Sequence, residues 1–345
     1  MKRSILVTGG AGYIGSHMVK RLLGEGHAVA VFDNLSTGHA DAVAGAQLIH
    51  GDLRSAADIG GAFASRSFDC VMHFAASCYV GESVQDPAKY YVNNVIGSLN
   101  LLEAMRAAGV LRLVFSSTCS TYGNPLAPII DESHPQQPVN PYGASKLAVE
   151  RIARDYAKPY GLRTVALRYF NAAGCDPEGV LGERHEPETH LIPLVLGEAL
   201  RLRAGGATES TGLRVFGDDF DTPDGTCIRD YIHVSDLCEA HLLAMHRLSL
   251  DRVTGFEAFN LGTGQGSSVK EVVDACRRVT GHAIGYQIAA RRPGDPSRLV
   301  AAADHARKSL GWTPRFLELE STVATAWKWF ASQPRKSSAA APPRS

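Results

Sequence analysis

The spacing of apolar residues changes along this chain, and the changes outline its elements. Six short apolar runs recur in the first half: Ser4-Ile-Leu-Val-Thr8, Ala28-Val-Ala-Val-Phe-Asp33, Gln47-Leu-Ile-His-Gly51, Asp69-Cys-Val-Met-His-Phe74, Leu111-Arg-Leu-Val-Phe-Ser116 and Leu162-Arg-Thr-Val-Ala-Leu-Arg168. Runs of this length, bounded by glycine and polar residues, read as strands buried on both faces. Between them lie stretches of helical period, Tyr13 to Leu23 and near 55–65, 87–108 and 142–158. Strand and helix in alternation predict an α/β fold, a Rossmann-type doubly wound parallel sheet covered on both faces. Ligands of such sheets sit beyond the carboxyl ends of the strands. The runs end there in Asp33, Gly51-Asp52, Phe74-Ala-Ala-Ser77, Ser116-Ser-Thr118 and Tyr169-Phe-Asn171.

Beyond Asn171 the pattern changes. Residues 172–190 and 203–230 are rich in Gly, Pro, Asp and Thr and read as loops over the cleft. Helices follow near 191–203, 235–248, 268–279 and 317–332, with a strand at 256–260. The expected organisation is residues 1–171 as a first domain and 172–334 as a smaller mixed α/β domain. Whether the second sends a segment back to the main sheet is open. The tail 335–345 has nothing to bury and reads as disordered.

Composition narrows the class. Thirty-five basic residues balance thirty-five acidic ones among 345 residues, so no general field invites nucleic acid or a membrane surface. An anionic ligand must be held by a few placed arginines. No apolar stretch approaches the roughly 18 residues that span a bilayer, and the first residues enter a strand without a secretory pattern. Seven scattered cysteines without a Cys-x-x-Cys pair suit free thiols in a reducing cytoplasm.

Two motifs carry chemistry. Gly9, Gly12 and Gly15 follow the first strand at intervals of three and open a helix. Glycines there let the main chain approach a pyrophosphate, and the helix amino end favours its charge. Asp33, at the end of the second strand, stands where a carboxylate bonds both hydroxyls of an adenosine ribose. It would repel a 2′-phosphate, so NAD is expected over NADP. Further on, Asn140-Pro-Tyr142-Gly-Ala-Ser-Lys146 opens a helix with Asn140 as cap and Pro141 in the first turn. Tyr142 and Lys146, four apart, share one face. An ammonium near a phenol lowers its pKa from about 10 toward that of a usable base.

Together these motifs resemble the extended short-chain dehydrogenase/reductases, and among them the UDP-glucose 4-epimerases. The similarity extends over Gly9-Gly-Ala-Gly-Tyr-Ile-Gly-Ser-His17, Asp33-Asn-Leu35, His73-Phe-Ala75, Val80-Gly-Glu-Ser-Val84 and Tyr90-Tyr-Val-Asn-Asn-Val95. It continues through Phe115-Ser-Ser117, Tyr122-Gly123, Arg168-Tyr-Phe-Asn171, Arg229-Asp-Tyr-Ile-His233, Asn260-Leu-Gly262 and Arg291-Arg-x-Gly-Asp295. The resemblance implies reversible 4-epimerisation of UDP-glucose and UDP-galactose through a transient 4-keto sugar, with tightly bound NAD. It makes Tyr142 the acid/base, with Lys146 and Thr118 as its catalytic partners. Gly9, Gly12, Tyr13, Ile14, Gly15, Asp33, Asn34, Asp52, Leu53, Phe74, Ala75, Asn94, Thr118, Tyr142, Lys146 and Phe170 would line NAD. Asn171, Leu191, Phe216, Arg229, Arg292, Asp295 and Leu299 would hold the UDP-sugar. It also implies a homodimer, paired through the helical stretches 87–108 and 142–158.

Departures from the family pattern keep other readings open. Cys78 replaces a lysine near the cofactor, His190 replaces an asparagine near the diphosphate, and Leu299 stands where other members carry tyrosine or a small residue. A 4-epimerase of an N-acetylated or pentose UDP-sugar, or a non-catalytic NAD sensor, therefore stays in view. Cys119 and Ser120 occupy the positions of the acid and base of sugar-nucleotide dehydratases, which argues against dehydration. His185-Glu-Pro-Glu-Thr-His190 resembles a metal motif, but Pro187 interrupts the helical register that an i,i+4 histidine pair uses, and no metal is expected.

Overall fold

The computed structural model describes residues 2–206, 212–292 and 294–333; the tail 335–345 lies outside them. Strands β1 (Ser4–Thr8), β2 (Ala28–Asp33), β3 (Gln47–His50), β4 (Cys70–His73), β5 (Arg112–Thr118) and β6 (Arg163–Tyr169) form the main sheet with a seventh strand, Phe256–Leu261. The order across the sheet is Phe256–Leu261, β6, β5, β4, β1, β2, β3, and every pairing is parallel. Order reverses beside β1, the switch point at which doubly wound sheets open a crevice.

Apolar residues pack on both faces. Ile5, Val7, Val29 and Val31 turn toward the helices Tyr13–Gly24 and Val234–Ser249. Leu6, Ala30, Phe32 and Val71 turn to the opposite face and its helices Ala56–Ser65, Gly97–Ala107 and Pro141–Tyr160. The alternation within each run therefore fills two cores, one on each face. A third core gathers Val195, Leu196, Val272, Val273 and Trp329 from helices Leu191–Arg203, Val269–Thr280 and Leu319–Ser332.

One detail differs from the sequence expectation and a second completes it. The stretch expected as one helix over 87–108 is a short helix Pro87–Tyr90, a wide π turn Tyr91–Ile96 and a helix Gly97–Ala107. The wider turn coincides with the buried Asn94, a polar residue that a regular apolar face would not accommodate. The strand Phe256–Leu261, whose return to the main sheet the sequence leaves open, extends that sheet alongside β6 with helix Asp304–Leu310 packed on it, while helix Val234–Ser249 covers β5 and β6. The chain thus crosses back after residue 171, and the two parts interleave. Short pairings outside the main sheet join Asn171–Ala173 to Tyr231–His233 and Ile228–Arg229 to Arg298–Leu299.

Candidate active site

The turn after β1 is built by backbone crowding. Gly9 has φ +70°, and a Cβ there would stand 2.4 Å from the Ala75 nitrogen; at Gly15 it would stand 2.2 Å from the Gly9 oxygen. Gly12 is different. It precedes the helix without a side-chain cap, and a Cβ on it would find only the Gly9 oxygen at 3.4 Å. Gly9 and Gly15 therefore pack turn, strand and helix together, while Gly12 leaves amides and space at the helix start. Asp33 Oδ2 accepts from the Ala11 amide at 2.9 Å and Oδ1 from the Leu35 amide at 2.9 Å. A carboxylate has about four acceptor positions, so both oxygens keep capacity for ribose hydroxyls. Asn34 Nδ2 donates to Asp52 Oδ2 at 3.0 Å, closing this rim. Open glycine, helix start and a fixed acid fit a dinucleotide.

Other predicted cofactor residues are placed more variously. Tyr13 donates its hydroxyl to the Gly174 carbonyl at 2.5 Å, tying the dinucleotide helix to the loop after Asn171–Ala173. Ile14 and Phe74 pack on the core, Phe74 with its ring 4.7 Å from that of His241. Leu53 is buried against Gly97 and serves the core. Asn94, 1% exposed, accepts from the Ser77 amide at 2.8 Å and donates to the Ser77 carbonyl and the Ser145 hydroxyl, both at 3.0 Å. It braces the loop after β4 against the helix that carries Tyr142.

That helix starts as its sequence dictates: Asn140 Oδ1 accepts from the Gly143 amide at 2.8 Å, and Gly161 ends it with φ +72°. Tyr142, Lys146 and Thr118 are all buried, with Thr118 closing β5. Lys146 Nζ donates to the Ser116 carbonyl at 2.9 Å and lies 5.0 Å from the Phe115 ring centre. Burial pushes the Lys146 ammonium down to about 8. The same cause raises the Tyr142 phenol well above its ordinary 10, with the Thr118 hydroxyl acting against the rise. The expected lowering by Lys146 is not seen in the protein alone, where desolvation of the phenolate dominates. Cys119, buried and pushed up to about 12, holds no reactive thiolate. Phe170 is buried beside Cys119, with Leu299 packed against the same cluster.

The residues expected around UDP fall into adjoining groups. Arg292 stacks over Phe216 at 4.0 Å from the ring centre. Arg229, paired in register with Leu299, donates from Nη2 to Asp295 Oδ1 at 3.1 Å and from Nη1 to the Pro296 carbonyl at 2.9 Å. Both arginines act electrostatically on Cys227. Asn171 and Leu191 border a cavity of about 40 Å³ with Tyr231 and His190.

Two features were not named from sequence, and a third was named there only to be set aside. Arg168 and Glu150 form a buried pair, Nη2 to Oε2 at 2.6 Å and Nε to Oε1 at 2.9 Å; Ser117 donates to Glu150, and Arg168 donates to Tyr122. An acid and a base inside apolar periodic runs were the available signal. Asp230 is fully buried and accepts from the amides of Thr263, Gly264 and Ala301 at 2.7, 3.0 and 3.1 Å, fixing the wall behind Arg229. Finally, Glu183, His185, Glu188 and His190 converge, one ligand-type atom from each lying within 4.8 Å of the others. The helical register invoked against them does not apply, because the segment is a loop.

Residues 5–262 match the NAD dependent epimerase/dehydratase family. A UDP-glucose 4-epimerase of Halalkalibacterium halodurans is 51% identical over 96% of both chains. The UDP-glucose 4-epimerase of Brucella ovis in complex with NAD superposes with a TM-score of 0.88 at 48% identity, over 94% of this chain and 97% of that one. That of Bifidobacterium longum in complex with NAD+ and UDP gives 0.87 at 38% identity, over 95% and 98%.

Proposed function

This chain belongs to the NAD-dependent epimerase/dehydratase family, among the UDP-glucose 4-epimerases, and on that premise we propose how its residues divide the work. It is an isomerase that interconverts UDP-glucose and UDP-galactose by inverting the sugar at C4, with NAD as cofactor. The observation that carries the assignment of roles is the burial of Tyr142, Lys146 and Thr118 where the end of β5 packs on the helix Pro141–Tyr160, with the Thr118 hydroxyl bonded to Tyr142 and Lys146 Nζ on the Ser116 carbonyl.

Gly12 and the helix start would hold the pyrophosphate, Asp33 the adenosine ribose, and Asn94 the loop along the cofactor. When bound, NAD supplies the acceptor and donor of hydride that carry C4 to a ketone and back. Tyr142 takes the proton of the 4-hydroxyl and returns it to the same oxygen after the ketose has turned. In the protein alone its phenol holds its proton tightly, so Tyr142 works as a base only with positive charge beside it. Lys146 contributes one such charge, being mostly protonated at neutral pH with a pKa of about 8. Thr118 orients the reacting oxygen. Arg229 and Arg292 offer planar donor forks to the diphosphate, with Asp295 and Phe216 holding their planes. Asn171, Leu191 and Leu299 complete the UDP-sugar site. Burial of the reacting groups excludes water from the ketose.

Residues 1–171 serve as the NAD-binding part and most of 172–334 as the UDP-sugar-binding part. Among the described residues no helix is long and apolar enough to cross a membrane. Seven unpaired cysteines, five of them buried, support a reducing cytoplasmic setting. Val84, Tyr91, Val92, Ile96 and Leu99 expose apolar surface along the 80–107 stretch, and this face supports a homodimer.

Incubation with UDP-galactose and no added NAD, followed by chromatography of the products, tests the reading. UDP-glucose should accumulate. Recovery of unchanged UDP-galactose from protein carrying its nucleotide would refute it.

A further inference from the structure

The loop before helix Leu191–Arg203 collects donors that the epimerase reaction does not use. We propose that Glu183, His185, Glu188 and His190 bind one divalent transition-metal ion of the zinc type, which staples this loop at the mouth of the cleft. Imidazole and carboxylate ligands suit zinc, and four protein ligands make a closed structural site.

The geometry has three parts. First, His185 Nδ1 and His190 Nδ1 stand 3.1 and 2.6 Å from Glu183 Oε1, while Glu188 presents Oε2 to His185 Nδ1 at 3.8 Å and Oε1 to His190 Nδ1 at 3.4 Å. The donors lie near the edge length of about 3.3 Å of a tetrahedron whose centre is about 2.0–2.1 Å from each, and the His190–Glu183 contact would have to open to admit an ion. Second, Glu183 Oε1 and both Nδ1 atoms are buried without a hydrogen-bond partner, although Glu183 is only 4% exposed. Third, the chain aims the donors. Arg184 turns outward to Asp41, both contacts at 2.9 Å, while the side chains of Glu183 and His185 are 4% and 13% exposed. Glu188 Oε1 accepts the amides of Thr189 and His190 at 2.7 and 2.8 Å, which leaves Oε2 for a ligand.

Without an ion, Glu183 and Glu188 hold protons on His185 and His190 against desolvation; an ion bound there would displace those protons, and two carboxylates with two neutral imidazoles would then match one divalent cation. His190 keeps a side chain 42% exposed, which gives the ion a way in. The His185 ring meets the rings of Tyr13 and Tyr79 edge-on at 6.3 and 6.0 Å. The ion would thereby link the dinucleotide helix, the loop after β4 and the start of helix Leu191–Arg203. Its role is positional; no step of the epimerisation needs it.

The purified holoenzyme, prepared without chelators and desalted, is analysed for metals by inductively coupled plasma mass spectrometry. About one equivalent of zinc per chain is expected. Stripped with dipicolinate, the same protein should take up Zn²⁺ saturably, and Co²⁺ should give the visible absorption of a tetrahedral site. H185Q and E183Q should each lose that uptake while retaining the far-ultraviolet circular dichroism of the parent. A metal-free protein whose stripped form takes up neither ion would overturn the proposal and leave an ion-pair cluster. So would uptake that both substitutions leave unchanged. If a substituted chain fails to fold, the Co²⁺ spectrum of the parent decides alone.

Discussion

Replacing Lys146 by methionine should make the nucleotide-free protein more stable at neutral pH while removing its activity. Lys146 is 4% exposed, and burial pushes it down to about 8 from the ordinary 10.5. Keeping the ammonium charged in that place costs about 3 kcal/mol. The substitution also forfeits the donor to the Ser116 carbonyl and the contact with Phe115, about 1 kcal/mol in all. The net expectation is a gain of about 2 kcal/mol at pH 7. The sign of the pH dependence follows from linkage. Below pH 8 the lysine is protonated in both folded and unfolded chains, and its full cost is present. Between about 8 and 10.5 the unfolded chain binds the proton and the folded chain does not, so the wild type gains stability as pH rises. The methionine variant lacks that gain, and near pH 10.5 it should be the less stable by about 1 kcal/mol. Urea unfolding of both nucleotide-free proteins at pH 7 and pH 10, compared at equal m-value, measures the difference. A stability difference that does not change with pH would refute the burial argument.

Glu150→Ala would leave the Arg168 guanidinium buried without its partner, and should cost about 3–5 kcal/mol, read as a fall in thermal midpoint of about 5 °C. Gly15→Ala places a Cβ 2.2 Å from the Gly9 carbonyl; the purified variant should carry little nucleotide, measured by chromatography after acid denaturation. Arg292→Ala, which unstacks a cation from Phe216, should raise KM for UDP-galactose about 10–100-fold with kcat little changed.

Much of the fold was legible because the short apolar runs have only one use. Ile5 and Val7 alternate with Leu6 between the two buried faces of the sheet, and the glycine turn marks where the sheet opens. Topology beyond Asn171 was not legible. Phe256–Leu261 carries no local sign that its partner is β6, about ninety residues earlier. The glycine trio was read as one device, whereas the structure divides it: Gly9 and Gly15 answer to packing, Gly12 to open space. Motif residues likewise separate by where they point. In Arg229-Asp-Tyr-Ile-His233, Arg229 reaches Asp295, Asp230 takes three amides behind it, and His233 stacks on Phe316 at 3.7 Å. The segment His185–His190 was read as a metal motif and set aside on a helical register that a loop does not have, and Glu183, which joins it, gave no sign.

The central claim is that one buried phenol moves the proton of the sugar 4-hydroxyl. Its most direct measurement is the rate of UDP-galactose turnover by Tyr142→Phe, compared with the parent at equal nucleotide content and with folding confirmed by circular dichroism. The account predicts a loss of about 10²–10⁴-fold, the usual contribution of a positioned acid/base, with NAD still bound. Turnover within a few-fold of the parent would contradict it.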